Sequence, residues 1–147
     1  MDVILARPED AATIGRLLHD FNVEYDEPTP SPAHLAQRVI ALMASDTAIL
    51  LADDVGLVVL RFMPAIWTDG LECYLAEFYV RPDHRGRGIG TALLSAALGH
   101  ARDRGADYIH LGTTADDDAA RHVYEKAGFS RTEGDGGPLM FVYEREL

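Results

Sequence analysis

Residues 71–94 read LECYLAEFYVRPDHRGRGIGTALL, and no other stretch limits the possible folds as strongly. Ten residues of strand character run into a glycine- and arginine-rich turn, and an alanine- and leucine-rich helix follows, with Leu94, Leu98 and Ala101 on one face. At such a junction the first helical N–H groups have no partner within the helix and face whatever sits beyond them. Those donors, the positive end of the helix dipole, Arg85 and Arg87 together suit a phosphate. Gly86, Gly88 and Gly90 let the backbone approach an anion without an intervening side chain. The alternative reading is a tight turn carrying two solvated arginines. The spacing is G-x-G-x-G, no G-K-[ST] follows, and neither a dinucleotide fold nor a P-loop is supported.

The rest of the chain reads as elements that would build around this unit. VILA before Arg7 is a short strand, and residues 10–21 form an amphipathic helix with Ile14, Leu17, Leu18 and Phe21 at helical spacing. VEYDEPTPSP is a loop, after which Ser31 caps a second helix that has Pro32 in its first turn. TAILLA and LVVLRF flank DDVG as an antiparallel hairpin. YIHLGT is a strand, DDAARHVYEKA a helix stopped by Gly128, and GFSR and PLMFVYERE two further strands around EGDGG. Hairpins precede a strand-helix-strand unit, so the sheet is expected to be mixed, with helices covering it. The 147 residues, 48% of them hydrophobic, suffice for a single domain spanning 1–147.

Charge narrows the partners. Twenty-four acidic against thirteen basic residues give a net charge of -11, which repels nucleic acid and anionic membranes and favours cations. A single cysteine, Cys73, excludes an internal disulfide and suits a reducing cytoplasm. The N-terminus lacks a secretory leader pattern, no apolar run is long enough for a membrane span, and the six histidines lack metal-ligand spacing, so no metal is expected.

Two motifs carry a family resemblance. Arg85, Gly88 and Gly90 fill the pattern [QR]-x-x-G-x-[GA] between a strand and a helix, and ARHVYEKAGF at 120–129 is similar to A-x-x-[LV]-Y-x-x-x-G-F. With the R-P-x-D-A-x-x-I opening and a C-terminal strand pair, the chain resembles the GNAT superfamily of N-acetyltransferases over nearly its whole length. The resemblance implies an α/β (α+β) fold, a mixed and mostly antiparallel sheet of six or seven strands with about four helices. In it the fourth and fifth strands splay apart around acetyl-CoA.

It also implies roles. Backbone N–H groups of Arg85, Gly86, Arg87, Gly88, Ile89, Gly90 and Thr91 would hold the pyrophosphate. The amide-bearing arm of the cofactor would pair with the edge of Phe78, Tyr79 and Val80, where one donor would also polarise the thioester carbonyl. Tyr124 would protonate the leaving thiolate, and the alternative is a core tyrosine. Glu77 would accept the amine proton, although relatives with the most similar strand carry L-E-D-F where this chain has Leu75, Ala76, Glu77 and Phe78. Alternation along a strand puts Ala76 and Glu77 on opposite faces. Asp117 stands where the family often has a cofactor-contacting asparagine, and it is read first as a helix cap. Phe21, Glu24, Tyr25 and Asp26, in the loop between the first two helices, would attract a small cationic amine, the alternative being a solvated acidic loop.

The resulting expectation is an acetyl-CoA-dependent N-acetyltransferase that acts by direct attack in a ternary complex. A non-catalytic module that binds the coenzyme and reports its level is the alternative. The expected partner is a small-molecule amine, with no nucleic acid, no membrane and a homodimer as the possible assembly.

Overall fold

A computed structural model describes residues 2–147, which form two compact units, one ending at Ile109 and the other spanning His110–Leu147. Five strands make one sheet, in the order β1 (Val3–Leu5), β2 (Thr47–Ala52), β3 (Gly56–Pro64), β4 (Leu71–Val80) and β5 (Ala106–His110). The first four pair antiparallel. β5 is reached from β4 through α3 (Ile89–Asp103), the crossover connection that parallel neighbours require. The N–H of Leu71, at the start of β4, donates to the carbonyl of Gly105.

One face of the sheet is covered by α1 (Ala11–Glu24) and α2 (Pro32–Met43). Ile14 and Leu17 are fully buried there with Val39, Ile49, Leu51, Leu57, Val59 and Tyr79. Each such aliphatic side chain contributes about 1.5–3 kcal/mol through burial. Gly15 fits this contact because a Cβ there would overlap the Pro32 carbonyl, so α1 and α2 meet backbone to backbone. Ser31 caps α2 as expected, its Oγ accepting from the His34 N–H at 3.1 Å. α3 covers the other face and ends at Gly105, whose φ of +92° needs a glycine. Cys73 is fully buried, and burial pushes its thiol up to about 11, which keeps it unreactive.

Three sequence expectations change. The first helix runs on to Glu24, three residues past Phe21, and Asp26 closes it in the left-handed region at φ 55°, a conformation aspartate tolerates better than most residues. Phe21 and Glu24 therefore belong to a helix, and the loop begins after them. In β4 the register passes from Val59↔Glu77 to Leu60↔Leu75, so Ala76 has no partner and forms a β-bulge. Finally, the sheet has five strands where six or seven were expected. Around EGDGG the turn closes, with Gly134 and Gly136 at positive φ and hydrogen bonds from Glu133 N–H to Pro138 and from Met140 N–H to Arg131. Pairing then stops after one bridge, Thr132↔Leu139. Pro138 offers no donor, and Phe141, Val142 and Tyr143 remain exposed, so little burial supports a longer ladder.

The second unit contains α4 (Asp118–Lys126). Asp117 caps it, its carboxylate accepting from the Ala120 N–H at 3.2 Å, and Gly128 stops it at φ +95°. Among the described residues no helix is long and apolar enough to cross a membrane.

Candidate active site

The backbone shapes the junction between β4 and α3. After β4 the chain makes a short 3-10 turn at Pro82–His84, extends at Arg85, and then passes through Gly86 and Gly88 at φ +76° and +82° before α3 begins. A side chain at either glycine would meet no protein atom within 4 Å, so conformation, not crowding, selects glycine there. An L-residue in that region costs roughly 1–2 kcal/mol. Gly88 is the N-cap of α3 and supplies no side-chain hydrogen bond, which leaves the first N–H groups of the helix for an external acceptor. Gly90 serves packing instead, since a Cβ there would lie 3.2 Å from the Phe78 ring. Open space over Gly86 and Gly88, an uncapped helix start and the nearby Arg87 together fit an anionic group such as a pyrophosphate.

The two arginines of the motif divide their work. Arg85 Nε donates to the Val80 carbonyl at 2.8 Å, one terminal nitrogen donates to Glu24 Oε1 at 2.9 Å, and the guanidinium lies 5.7 Å from the Tyr79 ring centre. Arg81 does a parallel job one turn earlier on α1, binding Asp20 at 2.7 Å and the Asp54 carbonyl at 3.0 Å. Asp20 and Glu24 are four residues apart and so share a helix face. This double clamp holds the glycine loop to α1, and the Arg85 side chain is committed to it. Arg87 remains exposed, and its charge helps, after the His84 hydrogen bond, to hold the Asp83 carboxyl below its usual range.

Glu24 is also the acceptor for the Tyr79 hydroxyl at 3.0 Å. Burial and then this carboxylate push the Tyr79 phenol up to about 12. Tyr79 stacks on Phe21 with ring centres 4.8 Å apart, and Phe21 meets Tyr25 edge-on at 5.4 Å. Of the four residues expected to bind the acceptor, Phe21 and Glu24 are thus tied into the α1–β4 contact, whereas Tyr25 and Asp26 stay exposed.

The edge of β4 follows from its register. The Arg81 N–H donates to Val55 and Tyr79 lies opposite Leu57, so in the antiparallel alternation Tyr79 turns its backbone groups toward β3. Phe78 and Val80 turn theirs away from it. Arg85 Nε occupies the Val80 carbonyl on that edge.

The bulge sets the other half of the site. Because Ala76 is the extra residue, Ala76 and Glu77 both face α1 and α2, contrary to simple alternation, while Phe78 faces α3. They line a cavity of about 200 Å³ together with Leu18, Phe21, Asn22, Leu35, Arg38, Val39, Leu42, Thr47, Ile49, Val59 and Arg61. Glu77 is exposed at the mouth of this cavity, and the neighbouring walls desolvate its carboxyl in part and raise its pKa above the ordinary value of 4.5. A carboxylate so placed is a stronger base than a solvated one. The sequence did not reveal Arg38 or Arg61 as cavity residues; the i, i+3 and i, i+4 spacing of Leu35, Arg38 and Leu42 was the available sign.

In the second unit, Tyr124 is 9% exposed and lies edge-on to Phe129, with ring centres 6.0 Å apart. Asp117 is occupied as a helix cap.

Comparison with known proteins agrees with this geometry. The profile of the Acetyltransferase (GNAT) family matches residues 14–129. An uncharacterized N-acetyltransferase of Methanocaldococcus jannaschii, MJ1207, is 39% identical over 66 residues, covering 45% of this chain and 29% of that protein. The mycothiol acetyltransferase of Cellulomonas flavigena is 46% identical over 64 residues, or 42% of this chain and 18% of its own length. The chain thus spans less than a third of these two relatives. A crystal structure from Arthrobacter sp. FB24, provisionally named an acetyltransferase, superposes with a TM-score of 0.91 at 43% identity, covering 100% of this chain and 96% of that one. With a family match over most of its length, and a glycine turn feeding an uncapped helix from a bulged strand, the chain belongs to the GNAT family of acetyltransferases.

Proposed function

We infer that the protein moves an acetyl group from acetyl-CoA directly to a primary amine, with both substrates bound at once. The observation that carries this reading is the arrangement along β4: an uncapped helix start with two left-handed glycines at its end, and a carboxylate lining a cavity at its bulge. Acetyl-CoA supplies the activated thioester. The N–H groups of residues 86–91 hold its pyrophosphate, with Arg87 adding charge, and the Phe78–Val80 edge takes its amide arm. Glu77 accepts a proton from the incoming ammonium group. An alkylamine with a pKa of about 10.4 is neutral to roughly 1 part in 2,000 at pH 7, so that transfer must precede attack. Tyr124 holds the position from which the family resemblance draws a proton for the departing sulfur.

Relatives named for mycothiol support a small-molecule acceptor. With Glu24 engaged by Tyr79 and Arg85, Asp26 and Glu27 remain at the end of α1 to draw in an ammonium group, and the exposed Tyr25 offers a ring face. A panel of primary amines with acetyl-CoA, read by thiol release, tests the reading. Amine-dependent release supports it. Coenzyme binding without release for any amine would return the chain to the regulatory-module reading.

A further inference from the structure

The cavity beside Glu77 carries more charge than removal of one proton requires. Arg38 and Arg61 line it, in a chain where acidic residues outnumber basic ones by 24 to 13. Arg61 follows Val59, the register partner of Glu77, by two residues and shares its face of β3. That step is roughly 6.6 Å at about 3.3 Å per residue, a span that an ammonium and a carboxylate on one small molecule can bridge. Asp46 Oδ1 lies 3.4 Å from Arg61 Nε, yet that nitrogen is shut off from solvent and makes no hydrogen bond. The same Asp46 oxygen also accepts from the Thr47 hydroxyl at 2.9 Å. Arg38, one turn from Leu35 and Leu42, makes no hydrogen bond or ion pair among the described residues.

The exposed Arg38 guanidinium and that of Arg61, which keeps a partly exposed ion pair with Asp46, place two positive charges beside the apolar walls of Leu18, Leu35, Leu42 and Ile49, where an anionic group of a ligand would be favoured. We propose that the acceptor is an amino-acid-like molecule, its carboxylate held by Arg38 and Arg61, its amine at Glu77 and an apolar body between them. This rests on the acetyl-transfer reading of the same site and narrows its acceptor. A polycationic amine fits poorly, since its second ammonium group would face the arginines.

Binding and turnover are measured separately. In calorimetry, 3-phenylpropanoate, an unreactive carboxylate, is compared with 3-phenylpropanamide. The wild type is expected to bind the acid and not the amide, and Arg38→Gln and Arg61→Gln are each expected to weaken the acid at least tenfold. Arg38 is exposed and unpartnered, so its variant keeps the fold even if loss of the Asp46 contact unsettles the other. Equal binding of acid and amide, or unchanged acid binding in Arg38→Gln, overturns the proposal. In turnover with acetyl-CoA, L-phenylalanine is expected to exceed both phenethylamine and L-phenylalaninamide at least tenfold in kcat/KM, with the preference collapsing in Arg38→Gln. Acetylation of the amines lacking a carboxylate with equal efficiency removes the anion subsite and leaves acetyl transfer standing. Carboxylate binding without acetylation of any amine does the reverse.

Discussion

The glycine loop at residues 85–91 and the cavity around Glu77 open from the same strand but are built differently. The loop uses backbone: two glycines at φ +76° and +82°, an uncapped helix and a clamp that ties Arg85 to Val80 and Glu24. The cavity uses side chains from α1, α2, β2, β3 and β4, and Glu77 lines it on the same face as Ala76 because Ala76 is the bulged, unpaired residue. A site built from backbone conformation tolerates little change. A side-chain site can alter its specificity one residue at a time.

Substitutions at the loop should therefore have the largest effects. Gly88→Glu puts a carboxylate where the pyrophosphate is expected and adds the cost of a left-handed L-residue, about 1–2 kcal/mol. The thermal shift produced by acetyl-CoA should vanish while the circular dichroism spectrum holds. Gly88→Ala carries the same backbone cost without the charge and should keep part of the shift. If both variants respond to acetyl-CoA like the wild type, the loop is only a turn.

Next in size is Tyr124→Phe, expected to lower kcat on the order of 10²-fold with coenzyme affinity unchanged, as for loss of one proton donor. Equal turnover would leave Tyr124 a packing residue against Phe129.

On the cavity side, Glu77→Gln should cost on the order of tenfold in kcat/KM near pH 6, shrinking toward none above the amine pKa of about 10.4, where no base is needed. Because burial raises the Glu77 pKa, the wild-type rate should fall at low pH as that carboxylate takes up a proton, and the variant should lose this limb. Identical pH profiles would remove Glu77 from the reaction.

The smallest effect belongs to the clamp joining the two regions. Glu24→Gln breaks a partly exposed ion pair and should cost no more than about 1 kcal/mol. It should also let the Tyr79 phenol, held at about 12, titrate closer to 10.0. Since the folded phenol keeps its proton longer than the unfolded one, the associated stability is complete below pH 10 and is lost as pH rises toward 12. Ultraviolet titration of the phenols, with melting followed over that range, checks both statements. A Tyr79 titration unmoved in the variant would mean that Glu24 does not hold it.

The same contrast explains what could be read from the residues in order. Strand β4, its glycine turn, α3 and the caps at Ser31, Gly105, Asp117 and Gly128 are local features, set by propensity and left-handed glycines, and they lie where the sequence puts them. The bulge at Ala76 was hidden because it is a mismatch of register between β3 and β4, visible only when both are paired. The commitment of Arg85 to Glu24 was hidden for a similar reason: the two are 61 residues apart. PLMFVYERE has the alternation of a strand, yet alternation does not supply a partner, and only the bridge Thr132↔Leu139 forms.

Backbone recognition of the coenzyme is the claim on which the rest depends, and amide nuclear magnetic resonance tests it directly. Titrating the ¹⁵N-labelled protein with coenzyme A should move the amide signals of residues 86–91 most, with the Phe78 and Val80 amides next and those of the β2–β3 hairpin little affected. Saturable shifts confined to other parts of the chain, with the 86–91 amides unmoved, would contradict it.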